Sequence, residues 1–156
     1  MSTLVSVLGI WVLTSAAVQL GTLWIMKLSI LPMLNTLPYD RYVTVCHLID
    51  MHVFHPIAVW SGVIAAGVGV WAAIASGNAL VATLFLIGSV GMVVVGLASE
   101  GVNRPIWRQI EVWSPRRPAE AWARKRRVWH NAHQVRTYAA VVAVGAYAAA
   151  MLGVVV

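Results

Sequence analysis

Three stretches of this chain, Met1–Met26, Met51–Ser99 and Thr137–Val156, contain no Lys, Arg, Asp or Glu. A helix that crosses a bilayer needs about 20 consecutive, predominantly apolar residues, and each stretch is long enough. The middle one, at 49 residues, has room for two spans and breaks at Ser76-Gly77-Asn78, a run of turn formers. Four spans are expected, at about residues 4–27, 56–75, 79–99 and 137–156. Composition agrees, with 60% apolar residues, 10% charged and a mean hydropathy of +0.80. That excludes a soluble globular domain and a disordered chain. Barrel strands would alternate apolar and polar residues, whereas these runs are apolar on every side. The single cysteine, Cys46, has no partner for an internal disulfide. The expected fold is all-α: a four-helix transmembrane bundle of up-down topology, one domain over residues 1–156, with interfacial helices on the cytoplasmic side. Ser15-Ala16-Ala17 looks like a signal-peptide cleavage site, but no basic residue precedes it and apolar sequence continues through Leu20, Leu23 and Trp24. The segment reads as a retained span.

Charge sets the orientation. Nine of the eleven basic residues lie in the Glu100–Arg136 connection, and the other two, Lys27 and Arg41, follow span one. The positive-inside rule places both connections in the cytoplasm of a cell membrane, with both termini and the Gly77-Asn78 turn outside. The net charge of +6 is thus a matter of orientation and anionic headgroups, not of nucleic acid. Trp107, Trp113, Trp122 and Trp129 in the basic connection fit an aromatic belt at headgroup level. Trp122 and Trp129, seven apart, share one face of an interfacial helix that starts near Pro118 and turns into span four. Between Pro38 and Pro56 the chain reads as a second cytoplasmic helix, with a break near His55 because the residue before a proline avoids the α region.

The polar residues near the spans carry the functional signal. All five histidines, His47, His52, His55, His130 and His133, fall on the cytoplasmic side. His47 and His55 share a helical stripe with Met51, and His130 and His133 are i, i+3 neighbours. Two helices could then present two imidazoles each to zinc, copper or iron, or the rings act as interfacial polar groups with no metal. Lys27, Glu100 and Arg136 border spans where an unpaired charge costs about 2.5–3.5 kcal/mol. Glu100 is expected to pair with Arg136 or Lys27, with Asn103 hydrogen-bonding across; Lys27 can also snorkel. Gln19, deeper in span one, needs a partner or marks the floor of a polar cavity. Gly62, Ala66 and Gly69 predict close helix packing, and Cys46 predicts a packed thiol.

Asn103-Arg104-Pro105-Ile106-Trp107, then Trp113 and Trp122, then Trp129-His130-Asn131-Ala132-His133-Gln134-Val135-Arg136, carry a resemblance. With Leu31-Pro32 near the end of span one, their order and spacing resemble the anthrone-oxygenase-like family of small four-span membrane proteins, over nearly the whole chain. Its Asn-x-Pro element falls on Asn103 and Pro105, its connection Trp on Trp122, and its Trp-x-x-x-His/Asn-x-x-Arg element on Trp129, His133 and Arg136. The resemblance implies an oxygenase that oxidises the activated methylene of a tricyclic anthrone with molecular oxygen. In such a reaction His133 or His130 would remove the acidic C–H proton. Arg136 and Asn103 would stabilise the oxyanion, and tryptophans and apolar side chains would hold the flat rings. A metal-assisted version would use His47 or His52, His55, His130 and His133; the metal-free version needs no cofactor beyond oxygen. Two alternatives belong to other classes: a small transporter, alone or as a homodimer, with Glu100 as its coupling residue, and a non-enzymatic assembly or metal-carrier subunit. The expected partners are the lipid bilayer and a hydrophobic small molecule.

Overall fold

The computed structural model describes the backbone of residues 3–49 and 54–155 and the side chains of residues 3–49 and 60–153. All regular structure in these residues is helical: α1 (Thr3–Ile25), α2 (Leu31–Thr36), α3 (Tyr39–Leu48), α4 (Phe54–Ser76), α5 (Ala79–Ala98), α6 (Arg104–Glu111) and α7 (Trp122–Val155). Three continuous helical runs, Thr3–Thr36, Ala79–Glu111 and Trp122–Gly153, are long and apolar enough to cross a membrane, and the described part of α4, Trp60–Ser76, is apolar but shorter.

Two of those runs are interrupted in the same way. A π turn at Met26–Ile30 joins α1 to α2, and another at Ser99–Asn103 joins α5 to α6. In each, a proline stands two residues after the turn, Pro32 and Pro105. A proline has no N–H and crowds the carbonyl four residues back. The chain responds by widening to a five-residue hydrogen bond just before it, Leu31 N–H to the Met26 carbonyl and Arg104 N–H to the Ser99 carbonyl. Ser99 and Asn103, the two ends of the second π turn, both face the interior, where they are 0% and 2% exposed.

α1, α4, α5 and α7 form a ring in which each packs on its neighbours. Its core is built from Val5, Val12 and Ala16, Ala65 and Ala73, Phe85 and Met92, and Ala143 and Tyr147. Small residues set the spacing, as the sequence predicts. A methyl on Gly62 would strike Met92, and one on Gly69 would strike Ser89 and Tyr147. Gly91 is the tightest in kind, because its missing Cβ would lie 2.8 Å from the Ala139 backbone carbonyl. A backbone atom cannot rotate away. Gly91→Leu is therefore expected to destabilise the bundle by about 1–3 kcal/mol or more, read as a lower unfolding midpoint in detergent. The turn at Ser76-Gly77-Asn78 also forms as expected: Gly77 takes a positive φ of 65°, and the Asn78 side chain caps α5 by accepting from the Leu80 and Val81 amides at 2.9 and 3.2 Å.

The other end of the ring differs from expectation in three respects. The expected interfacial helix and span four are one helix, α7, with no turn between them; at 34 residues it is about 50 Å long and outreaches the hydrocarbon core. It starts at Trp122, after turns that occupy the region around Pro118. Second, α3 ends at Leu48, where Ile49 is extended (ψ 95°), so His47 shares no continuous stripe with His55. α4 already runs helically through His55, with Pro56 in its first turn, and the break lies before it. Third, Trp129 is 2% exposed and packs in an inner cluster with Met26, Leu34, Tyr42, Ile106 and Ile110. It belongs to the core instead of an outer aromatic belt, because α3 and α6 fold over the α7 face that carries it.

Candidate functional site

Arg136 lies inside the bundle, 4% exposed, one turn along α7 from the fully buried His133. Its guanidinium reaches the His133 ring through Nε (3.2 Å) and Nη2 (2.9 Å), both directed at Nδ1, while Nη1 donates to the Ser99 hydroxyl at 3.3 Å. The other ring nitrogen, Nε2, lies 3.1 Å from the Leu23 carbonyl on α1. Arginine can only donate and a carbonyl can only accept. These partners fix His133 as a neutral imidazole that accepts at Nδ1 and donates from Nε2–H. α7 is thereby tied to α1 through His133 and to the π turn after α5 through Arg136. Thr137 closes the turn by donating to the His133 carbonyl at 2.8 Å.

His130, one turn before His133, stacks against Trp129 with ring centroids 5.5 Å apart, and Trp129 in turn touches His133 (6.4 Å) and Trp107 (5.9 Å). Its Nε2 is buried and has no hydrogen-bond partner among the described residues. Asn103 is in the same condition at both ends of its amide, and Gln19 at its Oε1. Asn103 is the last residue of the second π turn, whose first residue, Ser99, receives Arg136. It also stands one helical turn from Trp107, which stacks on Trp129. Buried polar atoms without partners are uncommon in folded proteins and mark places where water or a ligand completes the bonding.

Several expected pairings resolve differently. Glu100 is bridged by Arg104, and its neighbour Ser99 supplies the contact to Arg136. Sequence reasoning missed Ser99; the signal was its place four residues before Asn103, which puts both on one helix face. Lys27 meets aromatic rings, its Nζ 3.8 Å from the Tyr138 ring centre and 5.7 Å from that of Trp24. His47 donates from Nε2–H to the Ile110 carbonyl at 2.9 Å, which pins α3 to the end of α6. His52 and His55 fall outside the residues whose side chains are described. Among the described residues no three metal-ligating side chains group together.

α3 and the connection before α7 roof the site. The Tyr39 hydroxyl donates to the Ser114 carbonyl at 3.1 Å, its ring meets Trp122 edge-on at 5.3 Å, and the Arg126 guanidinium lies 4.9 Å over Trp122. Beneath this layer burial pushes the Tyr42 phenol above its usual range and raises the Cys46 thiol from near 9 to about 11. Almost no thiolate exists at neutral pH, and Cys46 is 1% exposed. Maleimide at pH 8 is expected to leave Cys46 unlabelled in the folded protein and to label it fully in denaturant. Because both groups bind their protons more tightly when folded, the stability they contribute is full below about pH 9 and falls as pH rises toward 11.

No family model matches the chain, and neither does any curated protein or solved structure.

Proposed function

We propose that this chain is a membrane-embedded oxidoreductase of the anthrone-oxygenase type, acting on a hydrophobic phenolic or quinol-like substrate with molecular oxygen. Its helices α1, α4, α5 and α7 are the four spans of an up-down bundle, with the Glu100–Arg136 connection in the cytoplasm as the basic residues require. The observation that carries the reading is the buried Arg136, held by the neutral groups Ser99 and His133, at the same end of the bundle as three buried polar atoms that lack partners among the described residues, Nε2 of His130 and both ends of the Asn103 amide. A cation kept in a low-dielectric interior and aimed by two fixed contacts is what a developing oxyanion needs.

The geometry divides the histidine roles. His133 has both ring nitrogens engaged and positions Arg136, while His130, with a free ring nitrogen, is the general base. His130 removes a proton from the acidic methylene; the resulting carbanion, with its charge on the conjugated oxygen facing Arg136 and Asn103, is the reductant of oxygen. One atom of the oxygen molecule becomes the new carbonyl, and the other leaves as water with the two methylene hydrogens. Trp107 and Trp129 flank the site with flat apolar faces suited to fused rings.

Oxygen uptake by purified protein in lipid nanodiscs, with anthrone as the probe, tests the reading. Uptake above that of empty nanodiscs is expected. A rate equal to the spontaneous one overturns it and leaves the carrier and transporter classes.

A further inference from the structure

Lys27 is the only charged residue in the first 39, and its setting differs from that of Arg136. It lies in the first π turn, at the seam between α1 and α7, on the outer surface of the ring. Tyr138, Trp24, Ile25 and Leu28 around it are 57%, 41%, 62% and 60% exposed. The Tyr138 and Trp24 rings wall two sides of the ammonium. Among the described residues Lys27 has no carboxylate and no oxygen acceptor. An ammonium on rings alone is attracted by their π faces but leaves its N–H donors unmet. In the four-span arrangement this seam faces lipid at the cytoplasmic end of α1.

We propose that Lys27, Trp24 and Tyr138 form a binding site for the headgroup of an anionic phospholipid. The phosphate oxygens complete the donors of the ammonium, and the acyl chains lie along the exposed apolar surface of α1 below it. The commitment to an anionic lipid follows from charge: the site offers one cation and no acidic side chain, so a zwitterionic lipid would bring its own cation beside Lys27. The site is separate from the basic cluster Arg124-Lys125-Arg126-Arg127, which sits at the start of α7, beyond the bundle. It rests on the membrane placement of α1 and is independent of the oxygenase chemistry.

Native mass spectrometry of full-length protein, released from mixed micelles holding equal phosphatidylglycerol and phosphatidylcholine, reads the preference directly. The wild type is expected to retain phosphatidylglycerol over phosphatidylcholine by about fivefold, the ratio that contact of one basic residue with an anionic leaflet supplies. Lys27→Gln should lose that preference, Lys27→Arg should keep it, and Arg124→Gln with Arg127→Gln should keep it too. Equal retention of the two lipids by the wild type overturns the proposal, as does a preference that survives in Lys27→Gln or vanishes in the Arg124/Arg127 variant. Lys27→Arg, which keeps the charge, guards against misfolding: loss of the preference in a monodisperse Lys27→Arg sample also counts against the site.

Discussion

Arg136→Gln should lower anthrone-dependent oxygen uptake by about 10²–10³-fold, the range seen when one oxyanion donor is removed from a preorganised site. The glutamine amide is too short to reach His133 Nδ1 and Ser99 together and brings no charge. Arg136→Lys should resemble Arg136→Gln more than wild type. The arginine places Nε and Nη2 on one ring nitrogen and Nη1 on the Ser99 hydroxyl, a planar fork that a single ammonium cannot reproduce. The check is the rate in nanodiscs together with the unfolding midpoint. A variant that keeps the wild-type midpoint and the wild-type rate would remove Arg136 from the chemistry.

His130→Ala should cost about 10²–10⁴-fold, the usual contribution of a positioned general base, and the pH–rate profile should lose its acid limb, because the base whose protonation produces that limb is gone. His133→Gln should behave differently. A glutamine side chain offers an acceptor to Arg136 and a donor toward the Leu23 carbonyl, so it keeps the positioning partly intact and leaves the acid limb in place. If the acid limb disappears in His133→Gln and survives in His130→Ala, the two roles are reversed.

Much of the scaffold was legible because charge is so sparsely placed. The gaps between charged residues locate the long apolar helices, and Ser76-Gly77-Asn78 locates the turn, with Gly77 at positive φ and Asn78 capping the next helix. Arg136, His133 and Asn103 were legible as polar residues needing partners because each lies inside or beside an apolar run, and all three are buried. The rest depends on contacts between residues distant in sequence. Pro32 and Pro105 are visible in the sequence, but their resolution into π turns is a backbone response that no side-chain periodicity records. That His133 has both ring nitrogens engaged while His130 Nε2 has no partner among the described residues turns on a carbonyl of α1, 110 residues away from His133. Trp129 misleads for a related reason: a tryptophan beside arginines has the same local sequence whether it faces headgroups or lies under α3 and α6. Glu100 reads as a partner for Arg136 by charge alone, whereas its i, i+4 neighbour Arg104 engages it.

The central claim, that Arg136, Asn103 and His130 direct molecular oxygen onto a carbon acid, is tested most directly by isotope. Purified protein in nanodiscs is given anthrone under heavy-isotope oxygen gas in ordinary water, and the quinone is analysed by mass, with empty nanodiscs as the baseline. The account predicts an enzyme-dependent product that carries one heavy oxygen atom in its new carbonyl, with the second heavy atom recovered in water. An enzyme-dependent product whose new oxygen comes from the solvent, or product formation no faster than in empty nanodiscs, would contradict it.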